Sequence, residues 1–89
     1  MQTREIRIIN RQGLHARACA KVVHLAAQFR CSVSLVRNGK RASARNILAV
    51  MLLAASMGAT IRLEISGPDE IAAMNAIARL IDDGFGERA

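Results

Sequence analysis

His15 and Arg17 are the two residues of this chain whose types and spacing could do chemistry. They follow Gly13 and Leu14, at the point where the sequence pattern turns helical from Ala16 onward. His15 is therefore expected at a helix N-cap, where the first-turn N–H groups of Ala16, Arg17 and Ala18 lack helical partners. With the positive end of the helix dipole these groups form an anion site, and Arg17 adds a permanent guanidinium. The same positive end disfavours a second positive charge on the ring, so a neutral, nucleophilic imidazole is expected. A phosphoryl group on that ring would meet backbone donors and Arg17, the parts that a transient phosphohistidine needs. The plainer alternative is an exposed histidine beside a helix end with Arg17 on a solvated face. Spacing alone fits both.

Other chemistries find fewer parts. Cys19 lies four residues beyond His15 on the same helix, with His24 further along. A structural zinc site needs four converging ligands, and Cys31 belongs to a different element behind a predicted buried face. No metal is expected, and both cysteines read as small core residues. The sequence shows no Ser-His-Asp arrangement, paired carboxylates, P-loop or glycine-rich dinucleotide turn, and no cofactor is expected.

The elements that must hold His15 are short and follow one another without linker, repeat or low-complexity stretch. Ile6 and Ile8 alternate with Arg7 in a first strand, and Gly13 punctuates. Over residues 16–28 a helix is expected, with Cys19, Val22, Val23, Ala26 and Phe29 on one face. Val33 and Leu35 alternate with serines in a second strand, and Asn38-Gly39 signals a tight hairpin. The returning strand over residues 40–44 is polar, as an edge strand often is. Asn46 can cap a second helix carrying Ile47, Leu48, Met51 and Leu52, with Gly58 near its end. Ile61, Leu63 and Ile65 form the buried face of a last strand. Pro68, Asp69 and Glu70 then start a third helix, with Ile71, Met74, Ala78 and Ile81 as its buried stripe and Gly84 at its end. The order β-α-β-β-α-β-α fits one antiparallel sheet covered on one face by helices. A ferredoxin-like βαββαβ domain with an added helix would read the same way, so the site must choose the function.

Composition narrows the classes. At 89 residues with 52% hydrophobic content, a single folded domain over residues 1–89 is expected, and disorder by low hydrophobicity is ruled out. Two Phe with no Trp or Tyr make the core aliphatic. The formal charge is +6, and residues 6–63 hold ten Lys or Arg and no carboxylate. Such asymmetry suits nucleic acid, an anionic membrane, an acidic protein partner or plain solubility. A small basic nucleic-acid-binding module is the reading from another class. RNA-binding sheets of this order stack bases on strand aromatics, however, and no predicted strand here has one, so nucleic acid is not expected. The longest apolar run, residues 47–59, is shorter than the roughly 18–20 residues that span a bilayer, so no membrane insertion is expected. Two cysteines are too few for a disulfide framework, and no secretory leader is expected. A cytoplasmic monomer with reduced thiols is the expectation.

The segment Gly13-Leu14-His15-Ala16-Arg17-Ala18-Cys19 resembles the active-site segment of HPr, the histidine phosphocarrier family of the bacterial phosphotransferase system. The resemblance extends over nearly the whole chain, through the Asn38-Gly39 hairpin and residues 42–51. It implies an α+β open-faced sandwich, with a four-stranded antiparallel sheet and three helices on one face. It also implies that Nδ1 of His15 accepts phosphate from the phosphohistidine of Enzyme I and donates it to a histidine of a IIA-type protein. Arg17 would orient and neutralise the phosphoryl oxygens, and the carrier would have no turnover on a free substrate. Ile47, Leu48 and Met51 would supply part of the docking surface, rimmed by Ala20, Lys21 and His24.

Two departures from the family pattern matter. Ala18 stands where the family usually has proline, which removes a pre-set φ but adds an N–H to the helix start. Asn46 stands where many members carry a regulatory serine, and it offers no hydroxyl to phosphorylate. Ser43 and Ser56 remain, but neither occupies the motif position. Asn46 followed by Ile47, with the ending Asp82-Asp83-Gly84-Phe85, is most similar to the nitrogen-related branch, NPr. Sugar-type members are the alternative.

Overall fold

Period-two alternation of aliphatic residues builds the sheet, and the three- and four-residue spacing between them builds the helices that cover it. The computed structural model describes residues 1–87. Its elements are β1 (Gln2–Arg7), α1 (Ala16–Ala26), β2 (Ser32–Arg37), β3 (Lys40–Ser43), α2 (Ile47–Met51), β4 (Thr60–Ser66) and α3 (Glu70–Asp82), then a 3-10 turn, Gly84–Gly86. The four strands form one antiparallel sheet in the order β1-β4-β2-β3. The expected α+β architecture is the observed one, with the polar β3 at an edge.

Ile6, Val33, Leu35, Ile61, Leu63 and Ile65 point from the sheet into a core completed by Cys19 and Val22 of α1 and by Ala73, Ile77 and Ile81 of α3. The hairpin between β2 and β3 turns on Asn38 and Gly39, at φ 50° and 80°, as a type I′ turn demands. Phe85 is fully buried beneath the 3-10 turn, so the C-terminal segment is fastened to the core rather than trailing from α3.

Two expectations need correction. The second helix ends at Met51, well short of Gly58. Leu53 and Ala55 are both buried, and the chain leaves the helical path at Ala54 (φ 52°) to seat them. Arg37 Nη1 donates to the Leu53 carbonyl at 2.8 Å and so satisfies an acceptor that a longer helix would have used. Gly58 belongs instead to the following loop, where its N–H donates to the Ile8 carbonyl at 2.7 Å. In α3 the buried stripe runs through Ala73, Met74, Ile77, Ala78 and Ile81. Ile71 lies about a quarter turn off that stripe and is 64% exposed.

Candidate functional site

The loop before α1 is locked from below. Gly13 sits at φ +65°, and a Cβ there would lie 2.5 Å from the Ala55 carbonyl oxygen and 2.8 Å from Ser56 Cα. Only glycine allows so close a crossing of two backbones. The Leu14 N–H donates to Ala55 O at 2.8 Å, and the Leu14 side chain is buried. Asn10, also buried, donates from Nδ2 to Gly13 O at 2.8 Å. Fixed by these contacts, the chain delivers His15 to the N-cap of α1 in extended conformation, and Cys19 N–H closes the first helical turn onto His15 O at 2.9 Å.

Both ring nitrogens of His15 are occupied. Nδ1 accepts from the Arg17 N–H at 3.2 Å, the side-chain cap that an N-cap residue ordinarily supplies through oxygen. Nε2 is bonded to Glu87 Oε2. The other carboxylate oxygen, Oε1, accepts from Asn10 Nδ2 at 3.0 Å. His15 first, then Asn10, hold the Glu87 carboxyl below the usual carboxylate range. The N–H donor at Nδ1 and the carboxylate at Nε2 favour the same tautomer, with Nδ1 unprotonated and the ring proton on Nε2.

Around this ring the expected residues are distributed unevenly. Ala16 and Arg17 are exposed, whereas the Ala18 side chain is fully buried, so only its backbone N–H is offered to an anion. No carboxylate among the described residues pairs with the Arg17 guanidinium. A cleft of about 720 Å³ opens beside it, lined by Asn10, Arg11, Arg17, Lys21, Met57 and Glu87 among others. Lys21 reaches across to donate from Nζ to the Phe85 carbonyl at 2.6 Å, so its ammonium is committed to the C-terminal turn. Ala20 and His24 are exposed one helical turn apart.

On α2, Ile47, Leu48 and Met51 are 39%, 61% and 37% exposed, which decides against their being core. Leu52 extends the same apolar surface, while Val50 and Leu53 face inward. Asn46 Oδ1 accepts from the Ala49 N–H at 3.1 Å and caps this helix as its position suggested. Cys19 turns away from His15 and donates from Sγ to Leu14 O at 3.3 Å. Burial pushes the thiols of Cys19 and Cys31 up, with Asp69 adding to the effect at Cys31. Both cysteines are buried and free.

Sequence reasoning missed Glu87 and Asn10. Glu87 stands 72 residues from His15, and no spacing rule joins them. One signal was present: an aromatic between two glycines directly after a helix, Gly84-Phe85-Gly86, in a chain with only two Phe. A turn that buries such a residue must bring its successor back onto the body of the fold.

The geometry agrees with what the chain is similar to. The family model described as "PTS HPr component phosphorylation site" matches residues 2–83. The phosphocarrier protein HPr of Cupriavidus necator is 49% identical over 87 residues, covering 98% of each chain. The phosphocarrier protein NPr of Shewanella violacea is 42% identical over 84 residues, 94% of this chain and 92% of that one. Among solved structures, HPr-C-His from Thermoanaerobacter tengcongensis superposes with a TM-score of 0.95 at 35% identity, covering all of both chains. Full-length matches of this kind, over a fold that presents a capped histidine at the start of its first helix, leave one assignment: the chain belongs to the HPr family of phosphocarriers of the phosphotransferase system.

Proposed function

We propose that Nδ1 of His15 takes a phosphoryl group from the phosphohistidine of Enzyme I, ultimately from phosphoenolpyruvate, and passes it to a histidine of a IIA-type protein. The observation that carries this reading is the Nδ1 lone pair held over the first turn of α1 by the Arg17 N–H at 3.2 Å. As Nδ1 bonds to phosphorus, the donor's N–P bond breaks and its electron pair returns to the donor ring. The Arg17 N–H, released from Nδ1, donates to a phosphoryl oxygen, and the N–H groups of Ala16 and Ala18 with the Arg17 guanidinium complete the anion site. Transfer onward reverses these steps. The apolar surface of Ile47, Leu48 and Met51, extended by Leu52, supplies the docking area, with Ala20, His24 and the stem of Lys21 at its rim. The carrier works as a monomer in this scheme.

The acceptor is assigned to the nitrogen-related branch on Asn46-Ile47 and the Asp82-Asp83-Gly84-Phe85 ending. A specific observation favours the second reading, a sugar-type carrier: the 49% identical relative bears the name HPr, against 42% for the NPr relative.

The test is labelling with phosphoenolpyruvate and Enzyme I. The native protein is expected to take one acid-labile phosphoryl group and His15→Ala none. A label that survives acid, or that persists in His15→Ala, overturns the assignment. The labelled carrier is then offered both kinds of IIA protein. Discharge to the nitrogen-type protein supports the first branch, and discharge to the sugar-type protein alone replaces it with the second.

A further inference from the structure

Glu87 touches the reactive ring from the far end of the chain, and no step of the transfer outlined above uses it. Its placement is over-determined. Phe85 is fully buried, its carbonyl is held by Lys21 Nζ at 2.6 Å, and the Glu87 N–H donates to Gly84 O at 3.1 Å. Asn10 spends one amide hydrogen on Gly13 O at 2.8 Å and the other on Glu87 Oε1 at 3.0 Å. One buried side chain thus ties the carboxylate to the loop that carries His15.

We infer that Glu87 is a positioning residue for phosphoryl transfer, keeping the ring proton on Nε2 of His15 so that the Nδ1 lone pair faces the incoming phosphorus. The inference rests on His15 being the phosphoryl acceptor. A carboxylate only accepts hydrogen bonds, so the nitrogen it faces must be the donor, and Nδ1 is left with its lone pair. In free imidazole the two nitrogens share the proton between tautomers, and a fixed partner on one of them removes the unreactive form. When Nδ1 bonds to phosphorus, Nε2 retains its proton and the ring gains a positive charge. Glu87 Oε2 already stands against that nitrogen. No proton needs to leave during the step, and the donor's nitrogen recovers the electron pair of the broken bond.

The test combines two readouts on the full-length protein. Ring nitrogen chemical shifts by ¹⁵N NMR at alkaline pH are expected to show the Nε2–H tautomer in the native protein and a larger share of the Nδ1–H form in Glu87→Ala, where only the Arg17 N–H still opposes it. The initial rate of labelling by Enzyme I in Glu87→Ala is expected to fall on the order of tenfold. That lies between the few-fold worth of an exposed ion pair and the far larger loss when a buried orienting carboxylate is neutralised. Glu87→Gln, whose amide oxygen still accepts from Nε2–H, is expected to keep the native tautomer and an intermediate rate. A Glu87→Ala variant that matches the labelled native protein in tautomer and rate overturns the role of Glu87 alone. A native protein that takes no label removes the phosphocarrier reading and this inference with it.

Discussion

Glu87 and Glu64 make similar ion pairs in opposite settings. Glu64 lies on the open face of the sheet, where Arg62 Nε donates to it at 2.9 Å and Arg41 of β3 reaches it across β2. Both of its partners are at least two-fifths exposed, and all three residues belong to one regular ladder. Glu87 joins a helix N-cap to the C-terminal turn, with the buried Asn10 on its second oxygen. In each case the carboxyl is held below its usual range, chiefly by a side-chain hydrogen bond to the cationic or ring partner. The charges are alike; what differs is what the contact fixes. On the sheet it pairs with two of the chain's thirteen Lys and Arg and leaves the backbone to hold itself. At the helix start it holds the ring of His15, the proposed phosphoryl acceptor. The +6 charge divides accordingly, since Arg41 and Arg62 are paired whereas Arg11, Arg17 and Lys21 line the cleft beside His15.

The sharpest way to break the comparison is through the backbone under each region. Gly13→Ala puts a Cβ 2.5 Å from Ala55 O at positive φ, and backbone on both sides leaves nothing soft to yield. A loss of about 2–4 kcal/mol in denaturant unfolding is expected, together with loss of labelling at His15. Gly39→Ala in the β2–β3 hairpin also carries positive φ (+80°) but meets no atom within 4 Å. Only the conformational cost remains, about 1 kcal/mol, with labelling intact. Equal costs for the two variants would mean that the His15 loop is no more interlocked than a surface turn.

Arg17→Ala separates chemistry from scaffold within the His15 region itself. The side chain is exposed, and no carboxylate among the described residues pairs with it, so little stability rides on it. Phosphoryl acceptance is expected to slow by about 10–100-fold with melting unchanged. A variant that unfolds would make Arg17 structural and erase the distinction.

The two regions were also unequally legible in the sequence. Everything governed by a local period could be read: the buried face of β4 at Ile61, Leu63 and Ile65, the positive-φ pair Asn38 and Gly39, and the caps at His15 and Asn46. Failures came where tertiary packing overrode a local signal. The second helix was cut at Met51 because burial of Leu53 and Ala55 won over helix propensity, and Ile71 was left outside because it lies about a quarter turn off the stripe that faces the core. Half of the site was legible for the same reason. His15 and Arg17 belong to one helix start, but Glu87 meets His15, and Asn10 meets Glu87, only after the whole chain has folded.

The smallest expected effect comes from the sheet face. Glu64→Gln removes the carboxylate shared by Arg41 and Arg62 without changing shape, and a small loss of stability with unaltered labelling is expected, since exposed pairs contribute little. Its pH dependence has a definite sign. The Glu64 carboxyl is held below its usual value in the folded chain, first by Arg41 and then by Arg62. The unfolded state therefore binds the proton more tightly, and the pairs stabilise the fold above the ordinary carboxylate range. As pH falls through the lowered folded value that contribution is lost. Native protein and Glu64→Gln should accordingly differ in thermal melts near neutral pH and converge in acid, and raised salt should narrow the gap at neutral pH. A gap that persists in acid would point to packing of the side chain, not its charge, and a gap rivalling that of Gly13→Ala would abolish the contrast between the two faces.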